Sequence, residues 1–305
     1  SGDSGSGKKL ISGAFAKTLV CDYQGDKPCD ECTSCRTFDR GNNPDIIYVY
    51  PLKTKALSVD DVREQITVNV NIKPYSHKYK VYVIPNADTL TTQAQNALLK
   101  TLEEPPEYAV FMLLAENINV FLPTILSRCV VFTINPIASE KIEKYLIENN
   151  NIDADKADIF AEYSQGSIGK AIEFAESEDF GNMRRIVVDV LINIKAKEYF
   201  KLTDTAKELE TYRDLSDVTD MIYIWYRDVL AYKITGSKDD IIEKDLSDCI
   251  VEEAQRCSYE GLCKIPKLVI DTKKHIKQNV NFVFAMEMLF INIKGELSDD
   301  RSSGS

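Results

Sequence analysis

The strongest constraint on this chain is where its strand-like runs stop. Four nearly continuous apolar, β-rich stretches, "DIIYVYP" at 45–51, "YKVYVIP" at 79–85, "AVFMLLA" at 109–115 and "CVVFTI" at 129–134, fall within the first 135 residues. Such runs fit strands buried on both faces. Helical patterns lie between them at 11–20, 58–69 and 91–103. The last has Thr91 and Thr92 ahead of its apolar period and Pro105-Pro106 behind it. Alternation of this kind predicts a parallel sheet covered by helices. After Pro136 only helical spacing remains, at 138–149, 155–164 and 167–177 and then from about 183 to 294. Breaks are predicted near Gly236-Ser237 and from Gly261 to Pro266, and Asn281 is placed to cap a closing helix. The expected fold is therefore α/β plus all-α. It divides into an α/β domain at 1–135, a small helical domain at 136–180, a larger helical domain at 181–297, and a Ser/Gly-rich tail or linker at 298–305.

Composition narrows the class. With 44% hydrophobic and 28% charged residues, the 305-residue chain has an ordinary globular make-up, long enough for two or three domains. No apolar run is long enough for a membrane helix, and no secretory signal is visible, so a cytoplasmic setting is expected. A net charge of -11 argues against gripping a nucleic-acid backbone unaided. Most of the local basic spots, Lys8, Lys9, Lys53, Lys55, Lys73, Lys78 and Lys80, read as solvated surface.

Four of the eight cysteines crowd into "CDYQGDKPCDECTSC": Cys21, Cys29, Cys32 and Cys35. Thiolates at this spacing can converge on one ion, and four complete a tetrahedral zinc shell. An iron–sulfur cluster is the rival, but its pattern continues to a fourth Cys before Pro, whereas here Arg36 and Thr37 follow. Cys129, Cys249, Cys257 and Cys263 lack ligand spacing and read as small buried apolar residues. His77 and His275 show no partner in the sequence.

"GDSGSGKK", Gly2 to Lys9, matches a phosphate loop except at its last position, where Lys9 replaces the hydroxyl that holds Mg²⁺. Gly7 and Lys8 could still meet a phosphate, yet no strand precedes the loop. The run at 81–84 is followed by Pro85 and Asn86 where an ATPase carries acids, and Asp88 is expected to point elsewhere. Without metal ligand or base, hydrolysis is not expected, and ATP binding should be weak at most. "LPTILSRC" sets Ser127 and Arg128 at a helix end. Arg128 there suits a structural cation or an arginine finger acting on a neighbour's ATP.

Together with "QAQNALLKTLEEPP" (93–106), "SQGSIGKAIEFAE" (164–176) and "NVNFVFAMEMLF", these motifs resemble the clamp-loader ATPases of bacterial replication, in the AAA+ class. The resemblance spans nearly the whole chain. Its motor branch, gamma/tau, keeps the loop hydroxyl, the Asp-Glu pair and a nucleotide-sensing Arg where Gly169 stands here. The sequence is instead similar to the delta-prime branch, whose nucleotide site is degenerate and whose arginine is retained. That resemblance implies an AAA+ domain with an inserted zinc module at about 20–37, a lid, and a collar that joins subunits. It implies partnership with gamma/tau and delta, contact with the sliding clamp and primer-template DNA through the DNA polymerase III complex, and no membrane. The expected role is a stator that donates Arg128, beside Ser127, in trans. The alternatives are an active gamma/tau-type ATPase and a zinc-bearing interaction module outside replication.

Overall fold

The computed structural model describes residues 1–53, 55–212 and 215–298, which fall into two compact units, 1–137 with 166–169, and 138–165 with 170 onward. In the first unit, three parallel strands, β1 (Ile46–Tyr48), β2 (Lys80–Ile84) and β3 (Ala109–Leu113), lie in the order β1-β2-β3. The central β2 is buried throughout because its pleat serves two cores. Tyr82 and Ile84 pack with Leu57, Ile66 and Leu98 on one face, while Val81 and Val83 meet Ala16 and Val20 on the other.

The covering helices are α1 (Lys8–Val20), α2 (Thr33–Asp39), α3 (Val59–Val62), α4 (Thr92–Glu103) and α5 (Pro123–Leu126). α3 runs into a π-helical turn at Arg63–Thr67. Ser58 and Asp61 form a reciprocal capping box on α3, and the Thr91 hydroxyl accepts from the Ala94 amide at the start of α4.

The fourth expected strand, 129–134, is not a strand in this structure. Among the described residues its backbone pairs across to Ser1: the Ser1 amine donates to Phe132 O at 2.6 Å, and Ile134 N donates to Ser1 O at 2.8 Å. Gly2 N in turn donates to Ala115 O, beyond the end of β3. One rung does not make a ladder, and Val130 and Phe132 remain 80% and 76% exposed. The lysine reading also needs correction at Lys80, which is buried, donates to Asn69 O and Ile72 O, and has its pKa lowered by that burial.

The second unit is helical among the described residues: α6 (Ser139–Asn150), α7 (Ala154–Tyr163), α8 (Ile168–Glu176, from Lys170), α9 (Glu178–Ile192), α10 (Tyr199–Leu209), α11 (Leu215–Thr235), α12 (Ser247–Arg256), α13 (Tyr259–Lys277) and α14 (Phe282–Ser298). One apolar core runs from Tyr163 and Phe174 through Trp225 and Tyr226 to Phe290 and Ile293. Asn281 accepts from Phe284 N, as a cap should. The predicted break at Gly261–Pro266 is absent, since α13 passes through both residues. A side chain on Gly261 would sit 2.6 Å from Glu296 O, so this glycine lets α13 press against α14. Burial of Leu262, Ile265 and Val269 holds the helix across Pro266, which alone costs about 3 kcal/mol. The tail at 299–305 lies outside the described residues.

Candidate functional site

Both ends of α1 carry chemistry. At its C-terminus, Cys21 caps the helix and begins the cysteine loop, and Cys32 caps the start of α2. The x2 spacing makes two repeated knuckles. Cys29 Sγ accepts from Cys32 N, and Cys32 Sγ accepts from Cys35 N, each at 3.4 Å. All four sulfurs lie within 4.8 Å of one another, with Cys21 and Cys29 at 3.6 Å. A tetrahedral shell with metal–sulfur bonds near 2.3 Å needs sulfurs about 3.8 Å apart, so the cluster fits one ion. Its electrostatics agree. Burial alone would raise the Cys32 thiol, but amides of Cys35 and Asp22 and neighbouring thiols outweigh it and bring it to about 6. Burial and the adjacent Cys32 push Cys35 up to about 12. Four crowded thiols cannot all ionise until a cation joins them, and a bound metal ion would supply that charge. The four cysteines expected to act together are brought together.

The module is tied down by partners that sequence spacing did not disclose. Lys17 in α1 bridges Asp30 (2.7 Å) and Asp39 (2.6 Å), and its pKa is raised first by the bond to Asp30. The Ser34 hydroxyl donates to Asp22 at 2.7 Å, and His77 lies 3.4 Å from Asp22 and 3.2 Å from Ser34. Asp45, buried in the sheet unit, accepts from the amides of Tyr75, Ser76 and His77 and so fixes the loop that carries the histidine. Only the long-range fold joins residue 77 to residues 22 and 34, which is why His77 had no visible partner.

At the other end of α1, Gly5 and Gly7 adopt positive φ (72° and 86°), and the loop closes on its own lysine. Lys8 Nζ donates to Gly2 O at 2.6 Å and Asp3 O at 2.7 Å. The next two carbonyls are also taken: Ser4 O by the Ser167 hydroxyl (2.8 Å) and Gly5 O by Gly169 N (3.0 Å). A Cβ on Gly169 would stand 2.8 Å from Gly5 O, so an arginine has no room here. Lys170, the next residue, is committed to Asp217 at 2.6 Å. Lys9 is exposed. Beyond β2, Pro85 is buried, Asn86 is exposed, and the Asp88 carboxylate accepts from Glu116 N.

Arg128 stands two residues beyond α5, donating to Thr124 O (3.0 Å) and the Ser127 hydroxyl (3.2 Å) and pairing with Glu103 of α4 at 2.9 Å. About a third of its side chain is exposed. α4 holds this loop from both ends. Buried Gln95 donates to Leu90 O and Val120 O and accepts from Leu122 N. In the sequence, the only hint of this role is a polar Gln95 beside the apolar positions Ala94, Ala97 and Leu98. Among the described residues, no hydrogen bond or ion pair joins Arg128 to Lys8 or to the cysteines.

Two sulfur readings change. Cys263 is exposed rather than buried, and Cys257, though buried, is bonded to polar groups, with Lys195 at 3.2 Å and Glu253 at 2.9 Å.

Comparison with known proteins accords with these features. The family model described as "DNA polymerase III, delta subunit" matches residues 1–138. DNA polymerase III subunit delta' of Bacillus subtilis is 30% identical over 302 residues, covering 96% of this chain and 89% of that protein. Subunit tau of the same organism is 30% identical over 80% of this chain and 47% of its own length. Subunit delta' of Yersinia pestis is 42% identical over 41% of this chain and 37% of its own. Similarity at that identity across nearly the full length of a delta' relative means that this chain belongs to the DNA polymerase III delta-prime family.

Proposed function

We propose that this chain is a non-hydrolysing, stator-type subunit of the bacterial replicative clamp loader. It assembles with gamma/tau motor subunits and delta, and the complex loads the sliding clamp on primed DNA. The reading rests on one contrast above all. The end of β2 offers Pro85 and Asn86 in place of acids, while the Arg128 loop is held in position by Gln95 and Glu103 of α4. In this reading Arg128, with Ser127 beside it, reaches a neighbour's ATP, and Glu103 is its resting partner. The cysteine cluster carries structural zinc, which polarises no substrate and fixes the loop between α1 and α2. Residues 136–180 act as a lid and 181–297 as a collar that joins subunits. The Gly7-Lys8 loop is a structural remnant with little affinity for ATP, because its carbonyls and Lys8 are already satisfied within the chain. The test is hydrolysis by the purified chain, alone and with a cognate motor subunit. Alone it should show none above background, and with the motor, stable assembly and DNA-stimulated turnover should appear. Magnesium-dependent turnover by the isolated chain would favour the active-ATPase alternative.

A further inference from the structure

In the helical unit, the turn after α9 carries Lys195 against the end of α12, where Cys257 is the capping residue. Lys195 Nζ lies 3.2 Å from Cys257 Sγ, and the thiol donates to Glu253 Oε1 at 2.9 Å. Lys195 and Glu253 are 3.6 Å apart, so amine, thiol and carboxylate form a closed triangle. Cys257 is 2% exposed and the Glu253 side chain 7%, whereas a third of Lys195 is open to solvent. Lys195 is thus the member of the triangle nearest solvent, and the sulfur lies beneath it. The buried Tyr226 hydroxyl has no hydrogen-bond partner and lies within electrostatic reach of Glu253 and Cys257.

We propose that Cys257 and Lys195 form an oxidative covalent link, a sulfenamide made by a peroxide, with Glu253 as the proton carrier. First, Glu253 takes the thiol proton and the sulfur attacks hydrogen peroxide. An S–O bond forms, the O–O bond breaks, and the departing hydroxide leaves as water with the proton from Glu253. Sulfur loses two electrons and the peroxide gains them, giving the sulfenic acid. Lys195 then releases one proton to solvent, and its nitrogen attacks the sulfur. The S–N bond forms, the S–O bond breaks, and hydroxide leaves as water with a second lysine proton. Contact between nitrogen and sulfur, with little water present, favours this condensation over further oxidation. The link would join residues 62 apart in sequence, tying the turn after α9 to α12. Burial, reinforced by Glu253, pushes the Cys257 thiol up to about 12. The resting group is therefore a thiol, slow toward background oxidant and faster as pH rises.

The test treats the full, metal-loaded chain with hydrogen peroxide at neutral and alkaline pH, followed by digestion and peptide mass mapping. The expected product is one joined pair containing Lys195 and Cys257, lighter by two hydrogens than its parts and separated again by dithiothreitol. Its yield should be larger at alkaline pH. Lys195→Arg should reduce the joined pair to background and leave Cys257 as a sulfenic acid that dimedone traps. Wild-type protein whose Cys257 stays unmodified, or passes to sulfinic acid with no joined pair, would overturn the proposal whatever the variant does.

Discussion

The two ends of α1 are built in opposite ways. At the C-terminal end, four sulfurs converge, and Lys17, Asp22, Ser34 and His77 brace the loop that holds them. At the N-terminal end the glycine loop keeps its shape, but its lysine and carbonyls bond to the chain itself, and the position for a metal-holding hydroxyl carries Lys9. One helix therefore joins four sulfurs spaced for a single ion to a glycine loop whose lysine and carbonyls are bonded within the chain. A structural metal site needs all its ligands at once, because a missing thiolate leaves a buried, uncompensated set. A phosphate loop is also a helix N-terminus, and it can persist as a cap after catalysis has gone.

The sharpest way to break this contrast is to remove one sulfur. Cys32→Ser should release a metal that the wild type retains, measured as about one zinc per chain by elemental analysis. The loop between α1 and α2 should become protease-sensitive while the helical unit's circular dichroism is unchanged. Retained metal, or iron in its place, would contradict the zinc reading. Acid should act in the same direction. The Cys32 pKa is depressed in the fold, so its contribution is present above the unfolded thiol value and lost as pH falls through about 6. Metal binding should weaken as pH falls, because protons compete with the metal for all four thiolates, read by release to a chromogenic chelator.

A smaller effect is expected at Lys17, whose ammonium joins two aspartates that are half-exposed or more. Lys17→Met should cost about 1 kcal/mol, since solvent screens both partners, and should weaken metal retention without abolishing it. Thermal unfolding with and without chelator separates the two outcomes, and a loss of metal as complete as that of Cys32→Ser would show the bridge to be indispensable. The smallest effect belongs to the other end of the helix. Lys9→Ser restores the hydroxyl but not the acids absent from Pro85 and Asn86, so ATP hydrolysis should remain at background. Turnover gained by that single change would mean that the site is closer to working order than its geometry indicates.

Much of this was legible in the sequence because it depends on local rules. Three of four strands, the caps at Thr91 and Asn281, and the cysteine cluster follow from spacing and short-range chemistry. What was missed depends on partners distant in the chain. The apolar run at 129–134 has strand character, but among the described residues its cross-chain backbone bonds go to Ser1. Gly261 and Pro266 look like a helix break, yet packing against α14 decides otherwise. His77, Gln95 and the Lys195–Cys257 contact join residues dozens of positions apart, which no periodicity reports.

The central claim is that Arg128 acts on a neighbouring subunit, and its resting bond to Glu103 makes the claim testable against a purely local role. As a local cation at the end of α5, Arg128 is worth about 0.3–1 kcal/mol, and its loss would change nothing in a partner. Glu103→Gln should leave clamp loading largely intact, because it removes the resting ion pair while Gln95 still holds the loop. The decisive measurement is clamp loading and DNA-stimulated ATP hydrolysis by a reconstituted complex carrying Arg128→Ala. An arginine finger is worth on the order of 10³–10⁵ at one site, and total turnover should fall by less because the other motor sites keep their own. The account predicts normal assembly, partial loss of hydrolysis and loss of most clamp loading, with no rescue by Arg128→Lys, whose point charge cannot reproduce the forked contact. Stable assembly with clamp loading at the wild-type rate would contradict it.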